Sequence, residues 1–227
     1  MTTKNRSKDD LLKLADTLGD CHKWVENTHG DDLEEAAKLA PTLGDRKRVA
    51  LSGYIRCVNS SRAVTDLVAS ALREPKYAFI VTLTIRPMLE WHVRSHWLDS
   101  IATRQQADKF VGGTKDPPGL RSLLERLINV TEKRDRKDAR LLEHLKGRID
   151  ELNNFLHGGP DVLAGGIRDD RTMREMLDSQ MVLNMHTLGC VMFLACEKVL
   201  HITDVAQPKI DILRGQRDEF QNQFNFR

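Results

Sequence analysis

Asp150-Glu151-Leu152-Asn153-Asn154-Phe155-Leu156-His157-Gly158-Gly159-Pro160 reads as the last turns of an α-helix that stops abruptly. Gly158 and Gly159 suit the left-handed backbone that ends a helix, and Pro160 cannot continue one. His157 is therefore expected at a helix C-terminus. At about 100° per residue, Asn154, Asn153 and Asp150 all fall within roughly 60° of His157. One strip thus gathers an imidazole, two amides and a carboxylate, while Leu152, Phe155 and Leu156 point elsewhere. Polar chemistry is concentrated nowhere else in the chain so tightly.

Working outward, the apolar residues recur at helical spacing throughout. Ser7 caps a first predicted helix over 7–28, with Leu11, Leu14, Leu18, Cys21 and Val25 on one face and Gly30 closing it. A short acidic helix, Asp31 to Leu39, is expected to end at Pro41. A long helix then runs from Asp45 to Leu72, and another from Glu74-Pro75 through Leu98, with Pro87 inside it as an expected kink. Thr103 and Gln106 form a capping box for a short helix closed by Gly112-Gly113. Helices from Leu120 to Glu132 and from Ala139 to Leu156 follow. After a glycine-rich stretch, a methionine-rich helix (Met173, Met176, Met181, Met185, Met192) spans Arg171 to Val199. Residues 208–224 form a terminal amphipathic helix that would bury Ile210, Leu213 and Phe220. No strand alternation and no repeat appear. The expected fold is all-α, an antiparallel bundle over 45–205, with accessory helices over 1–44 and 206–227.

The chain has 227 residues, 40% hydrophobic and 30% charged, enough for a real core. Its 35 basic and 33 acidic side chains give net charge +2, so bulk charge argues neither for nor against nucleic acid. No apolar run approaches the ~20 residues needed to span a bilayer. The N-terminus lacks signal-peptide character, so a cytoplasmic location without membrane attachment is expected. Cys21, Cys57, Cys190 and Cys196 show no CxxC pairing and are expected as reduced core thiols. No metal site or cofactor is expected. P-loop, dinucleotide, helix-turn-helix and nucleophile-elbow signatures do not occur.

Three blocks carry a resemblance: Asn59-Ser60-Ser61-Arg62-Ala63-Val64, then Thr84-Ile85-Arg86-Pro87-Met88-Leu89-Glu90-Trp91-His92-Val93-Arg94-Ser95-His96-Trp97-Leu98, then Leu152 to Gly159. Over roughly residues 45–170 the chain resembles an uncharacterised bacterial helical family with R-P-[LM]-[FL]-E-x-x-x-R-x-x-W-L and L-N-x-[FY]-x-H-G-G motifs. That family is similar to the HEPN superfamily of helical bundles. The resemblance implies a homodimer, and either a metal-independent ribonuclease of toxin–antitoxin or anti-phage systems or an inactive binding module. It places the catalytic histidine at His157. The motif arginine would fall at 150–152, which here are Asp150, Glu151 and Leu152. The nearest upstream arginine, Arg148, lies about 180° around the helix from His157.

Arg86, Glu90 and Arg94 share one face at i, i+4, i+8 and can pair along it. If that face meets the His157 strip, then His157, Asn154, Arg86, Glu90 and Arg94 form a catalytic set, with Asn153 and Asp150 as secondary members. His157 would move a proton and an arginine would hold a phosphate. RNA or a nucleotide is then the expected substrate, and a protein from a defence operon a further partner. Structural readings stand beside these. His157 is also placed to offset a helix dipole, Asn153 and Asn154 to bond terminal carbonyls, and Arg86–Glu90–Arg94 to form an ion network. His92 and His96 have metal-compatible spacing but read first as a packed or solvated pair, and the methionines suit core filling. The basic junction 133–140 holds two aspartates and reads as solvated surface.

Overall fold

In a computed structural model the described residues, 7–74, 78–114, 118–156 and 170–224, form an all-α bundle; residues 78, 79, 155, 156 and 170–177 are described by backbone only. The helices are α1 (Lys8–Leu39), α2 (Asp45–Arg73), α3 (Ala78–Ser100), α4 (Arg104–Val111), α5 (Leu120–Glu132), α6 (Arg136–Leu156), α7 (Asp170–Ile202) and α8 (Gln207–Gln223).

Cross-helix contacts fix antiparallel registers. Between α1 and α2, His22 meets Ser61 at 2.7 Å and Arg62 meets Glu26 at 2.8 Å. Between α2 and α3, Arg46 donates to the carbonyls of Asp99 and Ala102, and Cys57 to that of Met88. Midway, a Cβ on Gly53 would lie 2.0 Å from Ser95 Oγ, so glycine permits this close approach. Between α5 and α6, Lys146 pairs with Glu125 and Arg121 with Asp150. At the C-terminal end, Glu197 of α7 accepts from Arg214 and Arg217 of α8.

The centre of the bundle is α7. From Met181 to Leu200 every residue except Leu183 and Lys198 is buried. Its segment Asp178–Ile202 is long and apolar enough to cross a membrane, but 83% of that apolar window is covered by the other helices. The methionines Met181, Met185 and Met192 serve as core filler, while the side chains of Met173 and Met176 lie outside the described residues. All four cysteines are free and buried.

Most element boundaries follow the sequence reading, including the reciprocal Thr103–Gln106 box. One differs: α1 runs through Gly30 instead of breaking there. Leu33 and Ala36 extend the buried stripe of Val25 and His29, and His29 Nδ1 lies 3.2 Å from Asp32 across the glycine. Tertiary burial outweighs a helix-propensity cost of about 1 kcal/mol. Pro87 lies inside α3, which continues to Ser100. Ile210, Leu213 and Phe220 of α8 are buried as expected, and so is Arg217.

Phe220 fills the space left by Gly189, where a Cβ would lie 2.1 Å from its ring. His186 stacks on Phe220, and His144 Nε2 sits 2.9 Å from His186 Nδ1. Burial, aided by the Arg148 charge, pushes His144 down to about 4; burial, with His144 and Arg148, pushes His186 down to about 3. His22, His29, His92 and His96 are also lowered, in each case chiefly by burial.

Two outcomes are expected. Gly189→Ala forces the Phe220 ring out of its seat and destabilises the fold by about 1–3 kcal/mol in urea denaturation. The buried neutral histidines titrate at about 6.5 when unfolded, so their contribution is complete above about pH 6.5 and is lost as pH falls toward the folded values. Unfolding free energy should therefore drop between about pH 6.5 and the folded value of His144, about 4. In His186→Phe the slope should shrink by close to one proton, about 1.4 kcal/mol per pH unit.

Candidate functional site

The site lies where the outer face of α3 meets the C-terminal half of α6. On α3, the i, i+4 spacing brings Arg86 Nη1 to Glu90 Oε2 at 3.1 Å and Arg94 Nε to Glu90 Oε1 at 2.7 Å. One carboxylate thus holds two guanidiniums in a row. From α6, Asn153 Oδ1 accepts a hydrogen bond from Arg86 Nε at 3.0 Å. That bond joins segments 67 residues apart, the two expected to face each other. At the far end of the row, Arg94 lies 5.9 Å from the centre of the Phe110 ring, so α4 closes that side.

The remaining members distribute differently. Asn154 is exposed. Asp150 turns to α5 instead, 3.3 Å from Arg121 Nη1. Asp150 thereby lines an open groove of about 540 Å³ between α5 and α6, with Glu125, Asn129 and Lys146. Arg121 is therefore a second guanidinium close to the α6 strip. Nothing in the local sequence signalled it, because its partner is 29 positions away on another helix. His157, Gly158, Gly159 and Pro160 lie outside the described residues.

Arg148 lies on another face of α6, as the helical arithmetic required. It is 2% exposed, and its guanidinium is directed at α7. Nε donates to Thr187 at 3.3 Å, Nη2 to Asn184 at 2.9 Å, and Nη1 to Glu151. Asn184 in turn donates to Thr82 of α3 at 3.0 Å. Burial pushes Arg148 down to about 10. Every nitrogen of this guanidinium is occupied.

Donor accounting separates the arginines. Arg86 uses Nε and Nη1, and Arg94 uses Nε and Nη2, among the described residues. Each has a further terminal nitrogen with donors to spare, and the two side chains are 17% and 29% exposed. A phosphate could be added without breaking the links to Glu90. Arg148 has no such capacity.

His92 and His96, the metal-compatible pair, are packed beneath α3. Their rings lie 6.0 Å apart, and His92 lies 5.7 Å from Tyr54. Burial, with the nearby Lys198 charge, pushes His92 down to about 3. Among the described residues no three His, Cys, Asp or Glu side chains are grouped to hold a metal. In the basic junction, Asp138 is buried against Arg217, and Lys137 reaches Asp218 at the surface.

Asn153→Ala removes the acceptor for a half-buried guanidinium and should destabilise the protein by about 1 kcal/mol. A double-mutant cycle with Arg86→Ala should show a coupling of similar size; additive losses would mean that the bond does not tie α3 to α6. Compared with known protein families, curated proteins and solved structures, the chain matches none.

Proposed function

We propose that the protein is a HEPN-like effector acting on RNA, a metal-independent endoribonuclease of bacterial anti-phage defence or toxin–antitoxin type, working as a cytoplasmic homodimer. The observation that carries this reading is the Arg86–Asn153 hydrogen bond at 3.0 Å. It supports the alignment of the R-P-x-x-E-x-x-x-R helix with the L-N-x-x-x-H segment, which the resemblance requires for one shared active centre. In the sequence His157 follows Asn153 by four residues, one helical turn.

In this reading His157 accepts the proton of a ribose 2′-hydroxyl. The 2′-oxygen attacks the neighbouring phosphorus, and the bond to the 5′-oxygen breaks. The leaving oxygen takes a proton from water, and the product ends in a 2′,3′-cyclic phosphate. Arg86 and Arg94 offset the charge that builds on the phosphoryl oxygens, and Glu90 holds both guanidiniums in place beforehand. Asn154 supplies an amide beside the histidine.

One observation favours a second reading. The arginine nearest His157 upstream, Arg148, is fully engaged in the core. On that reading the chain is a catalytically inactive helical dimer that senses a phage component or regulates a partner protein through the same arginine-rich face.

The test is incubation of purified protein with total RNA in EDTA, beside His157→Ala and Arg94→Ala. The expected outcome is cleavage by the wild type, a loss of roughly 10²-fold or more in His157→Ala, and relief of toxicity on expression. Equal silence from wild type and His157→Ala, together with tight binding of a partner protein, would support the second reading.

A further inference from the structure

We infer that Trp91 is a base-stacking residue, holding an unpaired nucleobase of single-stranded RNA beside the phosphate-facing arginines; this deepens the RNA-acting reading and rests on it. Around α3 the order from the α6 edge is Arg86, Glu90, Arg94, Trp91, spread over about 140°. The indole therefore continues the polar row on its solvent side, one turn from Arg94.

The three tryptophans differ in environment. Trp97 is buried and packs edge-on against Phe110 at 5.8 Å. Trp24 packs edge-on against His29 at 5.6 Å. Trp91 is 36% exposed, and among the described residues it has no ring partner. Among the described residues it is the only aromatic of the large exposed hydrophobics, which otherwise are Leu39, Ile80 and Ile212. Isolated exposed aliphatics need no explanation. An exposed indole one turn from a guanidinium with spare donors is a more specific combination. Single strands are bound by this pairing, phosphate on cation and base on aromatic face, and each stacked base contributes about 1–3 kcal/mol.

A second copy of the chain is the competing occupant, and the face suits it less well. Ile80, Thr84, Pro87 and Trp91 form a single-file line, far narrower than the ~20 residues a side of a stable interface. Two arginines against one glutamate leave the row with a positive excess. Apposing two such rows would bring like charges together, whereas a nucleic-acid backbone supplies the opposite charge.

The experiment measures binding of a fluorescein-labelled, 2′-O-methylated uridine-rich oligonucleotide, which cannot be cleaved through the 2′-oxygen, by fluorescence anisotropy. Trp91→Leu keeps an apolar side chain of a helix former but has no aromatic face; Trp91→Phe keeps the face. Binding should weaken about 5- to 100-fold in Trp91→Leu and largely survive in Trp91→Phe. The salt dependence of binding should be unchanged in Trp91→Leu and shallower in Arg94→Ala. Tryptophan emission of the wild type should be quenched by the oligonucleotide, and the quenching lost in Trp91→Phe. If the wild type binds and Trp91→Leu binds equally well, the stacking role is wrong while the RNA-acting reading survives. If the wild type binds no single strand, both fall. If Trp91→Leu instead changes the sedimenting mass, the face belongs to an interface between copies and the stacking role is overturned.

Discussion

Between Met181 and Leu200, α7 presents almost no residue to solvent, so it has to be covered around its whole circumference. The other helices are arranged to do this. The cost of the arrangement is concentrated in the few polar side chains that α7 carries into the core, since each must find a partner there. Asn184 and Thr187 are met by Arg148 of α6, and Asn184 also by Thr82 of α3. His186 is met by His144 of α6. Glu197 is met by Arg214 and Arg217 of α8. Apolar contact tolerates sliding by a turn, but these pairings do not, so they set the register of α3, α6 and α8 on the central helix.

Glu197 shows how strong such a demand is. Burial works to raise its pKa, yet hydrogen bonds from His201 and Arg214 and the charge of Arg217 hold it at about 2. Asp138, close to the same arginine, moves the other way, because its burial and the neighbouring Glu197 charge prevail over the attraction of Arg217. Two carboxylates therefore compete for Arg217, and Glu197 has the better share. A buried ion cluster of this kind need not stabilise more than apolar packing would. Its effect here is geometric: it ties the N-terminal turn of α6, α7 and α8 at one point, and the aromatic seat of Phe220 against Gly189 lies two turns away along α7.

What could be read from the sequence follows from the range of the interactions. The Thr103–Gln106 box, the buried face of Ile210, Leu213 and Phe220, and the Arg86–Glu90–Arg94 row all depend on residues within a few positions of one another. Helical periodicity alone was enough to find them. The failures came where a distant partner decided the matter. Gly30 reads as a stop, but Leu33 and Ala36 continue the buried stripe past it. Asp150 reads as part of the His157 strip by angle, and its pairing with Arg121 across the α5–α6 seam was not foreseen. Arg217 is drawn inside by Glu197 and Asp138, both on other helices. Arg148 could be excluded from the His157 face by angle, but its destination among Asn184 and Thr187 could not be foreseen. The pairing of Arg86 with Asn153 was conditional on two helices lying side by side, which no local pattern encodes.

The same demand from α7 sets which edge of the molecule carries the proposed site. Of the faces that α6 turns toward α3, α5 and α7, the one toward α7 gives up Arg148 entirely to satisfying buried groups. The face toward α5 is taken by mutual pairing, Lys146 with Glu125 and Arg121 with Asp150. Of these faces, only the one toward α3 holds, among the described residues, a cluster with more cations than carboxylates, two guanidiniums on Glu90. Arg86 and Arg94 share one carboxylate, Arg86 also donates to the Asn153 amide, and both stay partly open to solvent. Such a row is already oriented before any ligand arrives, because Glu90 and Asn153 fix the guanidinium planes. The reorganisation that an anion would otherwise have to drive is therefore largely done by folding. An arginine stripped of competing acceptors would be more positive, but it would also be less ordered. The shared carboxylate trades some charge for direction, and direction is what the proposed in-line displacement at phosphorus needs most.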